Sequence, residues 1–128
     1  MERSFGVHRL RVRYCETDRM GIAHHGSYID WFEEARSEWL RDRGKTYREF
    51  EDEGVFLQVV EVAVDYRRAT TFDDEIEIRT RMTERRRASF VLEYEARMVD
   101  GGALAATGRT RLACVDRDGQ LRRLPPDL

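Results

Sequence analysis

The sequence predicts an α+β domain in which a five-stranded antiparallel sheet wraps one long central helix. Three observations predict it. Apolar and charged residues alternate at the start of the chain and through its second half, the period of half-buried strands. One stretch between them has the helical period instead. The resulting order, one strand, one helix and four strands, leaves a single helix to cover the apolar face of the sheet.

The first strand is read over Phe5 to Tyr14, with His8, Leu10, Val12 and Tyr14 facing one way and Arg9, Arg11 and Arg13 the other. Cys15 to Gly26 holds no sustained period and contains two glycines, so it reads as a loop. From Ser27 the apolar positions Tyr28, Trp31, Phe32, Ala35, Trp39 and Leu40 recur at helical spacing. Gly26 or Ser27 is the expected N-cap, and Arg41, Arg43 and Gly44 mark the end. Thr46 to Glu53 predicts a short helical turn stopped by Gly54. Val55 to Tyr66, rich in β-branched residues, is the second strand.

Ile76, Ile78 and Met82 alternate with Glu75, Glu77, Arg79 and Arg81 in the third strand, and Phe90 to Met98 repeats the pattern in the fourth. Asp100-Gly101-Gly102 is a hairpin signal, Ala103 to Val115 is the fifth strand, and Pro125-Pro126 keeps the tail irregular. The last four strands are expected to be joined by short turns. An open sheet leaves an edge with unpaired backbone groups, so edge-to-edge pairing into a homodimer, or a dimer of dimers, is expected.

With 128 residues, the chain fits one domain over residues 1–128. The composition, 41 % hydrophobic and 38 % charged, is that of a chain that folds. No apolar run approaches the length of a membrane span, and Met1-Glu2-Arg3-Ser4 opens no signal peptide, so the cytoplasm is expected. A net charge of −2 argues against a nucleic-acid binder. Cys15 and Cys114 lack metal-ligand spacing, and His24-His25 lacks further ligands, so no metal and no cofactor are expected. Cys15 reads as a small buried hydrophobe. Glu33 reads as a helix-surface acid paired with Arg36 or Ser37.

The loop before the helix concentrates the chemistry. Asp18 and His25 sit close to a helix N-terminus, where free backbone N–H groups favour developing negative charge. A carboxylate beside such a site serves as base or nucleophile in acyl transfer. On residue types alone, a turn-forming Asp and a surface His explain the pair as well. The arginine clusters 67–68, 85–87 and 122–123 are candidate phosphate grips, with solvated turns as the plainer reading of each.

The full run from Tyr14 to Arg36 carries more weight. Its aromatic residue, Thr17-Asp18, Gly21, His25, Tyr28 and Phe32-Glu33-Glu34-Ala35-Arg36 closely resemble the opening motif of the 4-hydroxybenzoyl-CoA thioesterase-like family of hotdog proteins. Val59 to Tyr66 with Arg67-Arg68 and Asp74, and Arg87 to Phe90, also look familial. The resemblance implies a hotdog fold and hydrolysis of an acyl-CoA or acyl-carrier-protein thioester without a cofactor. It implies that Asp18 is the catalytic carboxylate, that His25 lies at the thioester carbonyl and that Tyr14 helps shape the site. By the same resemblance the oxyanion donor is the backbone amide at the His25 position. The amides of Gly26 and Ser27 are further substrate-binding candidates, and Arg68, Arg87 and Ser89 are candidates for coenzyme A. His24 stands where the family usually has Tyr, Phe or Trp, which bears on the shape of the acyl pocket. A hotdog enzyme of another acyl-thioester reaction, such as dehydration, and a non-catalytic acyl-thioester binder are the alternative readings.

Overall fold

A computed structural model describes residues 6–128. Strand β1 spans Gly6–Arg11, helix α1 His25–Asp42, helix α2 Tyr47–Asp52, and strands β2 to β5 span Phe56–Tyr66, Glu75–Arg85, Ser89–Met98 and Leu104–Val115. The five strands form one sheet in the order β1-β3-β4-β5-β2, and every neighbouring pair is antiparallel. Phe5, included in the predicted first strand, lies outside the described residues.

The alternation in the sequence becomes the two faces of the sheet. Ile76, Ile78, Phe90, Leu92, Tyr94, Ala96, Ala106, Leu112 and Cys114 face inward and are buried. Helix α1 lays Tyr28, Trp31, Phe32, Ala35, Trp39 and Leu40 against them, all buried. Phe32 stacks on Tyr94 with ring centroids 4.5 Å apart. It also lies directly over Gly108, where a Cβ would come within 2.3 Å of its ring. Only a residue without a side chain lets the helix sit this close to β5.

Among the described residues, one charged side chain is buried in this core. Arg36 is 6 % exposed; its Nε donates to the Tyr47 hydroxyl at 2.6 Å and its guanidinium NH1 to the Tyr94 hydroxyl at 3.2 Å. Tyr94 in turn shares a 2.7 Å hydrogen bond with Thr110. Arg36 is therefore not the surface partner of Glu33 that its spacing predicts; the Glu33 carbonyl instead accepts from Ser37 Oγ at 3.0 Å.

The boundaries on either side of the loop differ from the sequence reading. Strand β1 ends at Arg11, not near Tyr14, because its ladder partner β3 begins at Glu75, directly opposite Arg11. Tyr14–Glu16 forms a 3-10 turn instead, which leaves Cys15 exposed rather than buried. Helix α1 begins at His25 with His24 as its N-cap, replacing the expected Gly26 or Ser27, because the His24 Nδ1 accepts from the Gly26 amide at 3.0 Å. The C-terminal end follows expectation, with Gly44 in a left-handed conformation just past the cap.

The link between β2 and β3 is not a short turn. Strands β4 and β5 lie between them in the strand order, so residues 67–74 cross one end of the sheet. Residues 67–74 run beside the loop that precedes α1: the Ala23 amide donates to the Thr70 carbonyl at 2.8 Å, and Ile22 bridges Thr71. Thr70, fully buried, also hydrogen-bonds the Tyr28 hydroxyl at 3.0 Å.

Candidate active site

The loop ahead of α1 is a tight hairpin. Thr17 bridges Ala23, the Asp18 amide donates to the Ile22 carbonyl at 2.9 Å, and the Gly21 amide returns to the Asp18 carbonyl at 2.9 Å. Gly21 closes the turn with φ of 82°. Asp18 is exposed, and its Oδ1 accepts from the Met20 amide at 2.9 Å, the local bond that makes Asp a turn-former. Its other carboxylate oxygen has no protein partner among the described residues.

His25 is the first residue of α1 and is exposed, its ring lying 4.1 Å from that of His24. Its carbonyl accepts from the Tyr66 hydroxyl at 2.7 Å, which fastens the helix start to the end of β2. The amides around it are unequal. Gly26 N–H is taken by the His24 ring and Ser27 N–H by the His24 carbonyl at 2.9 Å, while His25 N–H meets no protein acceptor among the described residues. The open donor at this helix N-terminus is therefore the His25 amide. The Ser27 hydroxyl is also engaged, donating to the Glu16 carbonyl at 3.0 Å.

Tyr14 is 77 % exposed and sets its ring edge-on to Phe72 at 5.7 Å. Its carbonyl anchors Thr17, accepting from the Thr17 hydroxyl at 2.7 Å. Arg68, exposed, follows β2 on the same side, with its amide on the Ala105 carbonyl at 3.0 Å. Arg87 and Ser89 stand elsewhere. Ser89 opens β4 opposite Ala113, whereas Ala96 and Ala106 mark the level of the loop. Seven residues of strand separate the two levels, about 23 Å at about 3.3 Å per residue. One protomer thus brings together Asp18, His25, Tyr14 and Arg68 but not Arg87 or Ser89.

Among the other arginines, Arg67 pairs with Asp65 at 2.8 Å, Arg86 with Glu84 at 2.7 Å, and Arg85 donates to the carbonyls of Pro125 and Leu128. A 620 Å³ concavity lies on the outer face of the sheet, lined by Ala63, Asp65, Arg81, Glu93, Thr107 and Arg109 among others. No residue of the loop lines it. Two participants escape the sequence reading. Glu16 and Tyr66 both bond the start of α1, and only the rule that a buried tryptophan seeks a partner for its N–H could have pointed from Trp31 towards Glu16.

A five-stranded antiparallel sheet on one long helix, with an acid-bearing loop ahead of that helix, is the hotdog architecture. Comparison with known proteins supplies the family. Residues 12–128 match the model of the thioesterase-like superfamily. The acyl-CoA thioesterase YbgC of Haemophilus influenzae is 32 % identical over 108 residues, covering 84 % of this chain and 78 % of that protein. The structure of a DHNA-CoA thioesterase from Staphylococcus aureus superposes with a TM-score of 0.90 at 31 % identity, over 94 % of this chain and 80 % of that one. The gentisyl-coenzyme A thioesterase BH1999 superposes with a TM-score of 0.89 at 25 % identity, over 95 % and 98 %. The chain belongs to the thioesterase-like superfamily and, with it, to the thioester hydrolases. No helix among the described residues is long and apolar enough to cross a membrane.

Proposed function

We propose that the protein hydrolyses acyl-CoA thioesters, with Asp18 as base or nucleophile and the His25 amide as donor to the developing oxyanion. The observation that carries this reading is the open His25 N–H at the start of an 18-residue helix, next to a hairpin that presents an uncommitted carboxylate oxygen. A thioester needs little else. Its thiolate leaves readily, so a donor to the carbonyl oxygen and a group that attacks, or that activates water, suffice. A donor of this type contributes about 3 kcal/mol to lowering the barrier. The imidazole of His25 is not required for that donation, since the main chain supplies it.

The same reading has two copies pairing through β2. This edge strand leaves Val59, Val60 and Val62 between 41 % and 57 % exposed, an apolar edge of the kind that pairs with another strand. Antiparallel pairing of two β2 strands brings the Ser89 end of one sheet level with the Tyr66 end of the other. That supports a site in which Arg87 and Ser89 of one protomer serve the Asp18 loop of its partner, and it covers a loop that is open in a single protomer. An acyl-carrier-protein thioester presents the same reacting group.

The test is thiol release from a panel of aromatic, short aliphatic and long aliphatic acyl-CoAs by wild type and by Asp18→Asn, with sedimentation to give the oligomeric state. The expected result is turnover selective for one acyl class, a loss of at least a hundredfold in the variant, and an unchanged dimer or tetramer. Near-normal hydrolysis by Asp18→Asn would refute the assignment of the carboxylate.

A further inference from the structure

Glu16 lies two residues before Asp18, in the 3-10 turn, and its side chain is only 10 % exposed. Every polar atom it offers is engaged. Its Oε1 accepts from the Arg13 amide at 2.7 Å, and its Oε2 accepts from the Arg13 guanidinium at 3.2 Å and from the Trp31 indole N–H at 3.0 Å. Its carbonyl accepts from the His24 amide at 2.7 Å and from Ser27 Oγ at 3.0 Å. Among the described residues, both hydrogen bonds that join residues 13–22 to helix α1 end on this one residue, at Ser27 and at Trp31.

We infer that Glu16 is the positioning residue of the thioesterase site, holding the Asp18 hairpin in register with the His25 amide through the buried indole of Trp31. This rests on the function proposed above. Trp31 is 2 % exposed and lies in the second turn of α1, packed on Tyr28 with ring centroids 4.5 Å apart, so it is a fixed point of the helix. Glu16 takes its bearing from that point and transmits it along two residues of chain to Asp18. A carboxylate suits the place because all its partners are donors and charged acceptors make the stronger hydrogen bonds. Catalysis tolerates little error in the separation of attacking group and oxyanion donor, since misplacement by about 1 Å costs roughly a hundredfold in rate.

The experiment measures kcat and KM for wild type, Asp18→Asn, Glu16→Gln, Trp31→Phe and the Glu16→Gln/Trp31→Phe double variant. The two indole N–H signals are followed by NMR, that of Trp31 being the one lost in Trp31→Phe. Gln keeps the size of Glu but offers one acceptor oxygen in place of two; Phe fills much of the indole site without a donor. The expected result is a tenfold or greater fall in kcat for each single variant with KM within twofold. The double variant should be no slower than the worse single one, and the Trp31 signal should move upfield in Glu16→Gln while that of Trp39 stays. Should Glu16→Gln fail to fold, Trp31→Phe decides, because it leaves the carboxylate and its Arg13 bonds intact. If kcat stays within twofold of wild type in an assay where Asp18→Asn is dead, the positioning role is overturned and the functional reading survives. If wild type itself releases no thiol from any acyl-CoA, the functional reading fails and takes the positioning role with it.

Discussion

Replacing Gly108 by Ala tests how α1 is held against the sheet. The added Cβ would stand 2.3 Å from Phe32 Cε2 and 3.0 Å from both Cδ2 and Cζ. The ring must retreat by about 1 Å to regain ordinary contact, and its way is blocked. The ring stacks on Tyr94, whose hydroxyl is tied to Thr110 and Arg36, and Phe32 itself is 0 % exposed. Overpacking of this kind costs about 1–3 kcal/mol, or about 4–12 °C in Tm for a domain of this size. Urea unfolding at fixed protein concentration measures it, and Gly108→Ala/Phe32→Leu should recover part of the loss by narrowing the ring site. Stability of Gly108→Ala within about 0.5 kcal/mol of wild type, the range of ordinary surface substitutions, would refute the argument that helix and strand are in contact at this glycine.

Two further outcomes follow from the geometry. His24→Ala should lose about 1 kcal/mol by removing the acceptor for the Gly26 amide, and His24→Asn should regain most of it; equal stability of wild type and both variants would discount the cap. Glu77 is held below the usual carboxylate range by its hydrogen bond to Arg79, with further help from Arg9. Its folded pKa thus lies under the unfolded value of about 4.3, so its contribution is present above that pH and lost as pH falls through the depressed value. The stability gap between wild type and Glu77→Gln, measured by unfolding at a series of pH values, should be widest near neutrality and close in acid; a gap constant from pH 7 to pH 2 would contradict it.

Much of the fold was legible because period reports burial directly. Tyr28, Trp31, Phe32, Ala35, Trp39 and Leu40 are all buried where their spacing puts them, and the β3, β4 and β5 alternations are the two sheet faces. What the sequence did not reveal depends on partners distant in the chain. The alternation of β1 runs on past Arg11, and only the starting point of β3, some sixty residues later, explains why the strand stops. Strand order is likewise set by tertiary pairing, so a run of strands reads as a meander although β2 crosses to the far edge. The His24 cap was missed because a ring nitrogen rarely takes the place of a hydroxyl or carboxylate. The candidate site was legible mainly through its motif: spacing alone brings Asp18 near a helix start, but not the commitment of the Gly26 amide or the bond of Tyr66 to His25.

Arg36 has a consequence for how the helix finds its seat. Hydrocarbon contacts are nondirectional, and a helix this rich in aromatic residues can be turned about its axis with modest loss of apolar contact. A guanidinium buried without a carboxylate is far less forgiving, because it is satisfied only where the hydroxyls of Tyr47 and Tyr94 converge. Arg36 therefore acts as an angular key: one rotational setting of α1 gives the cation its donors' partners, and every other setting strands it in the core. Since the same helix begins at His25, the setting that satisfies Arg36, three turns further along, also fixes the direction in which the His25 N–H points.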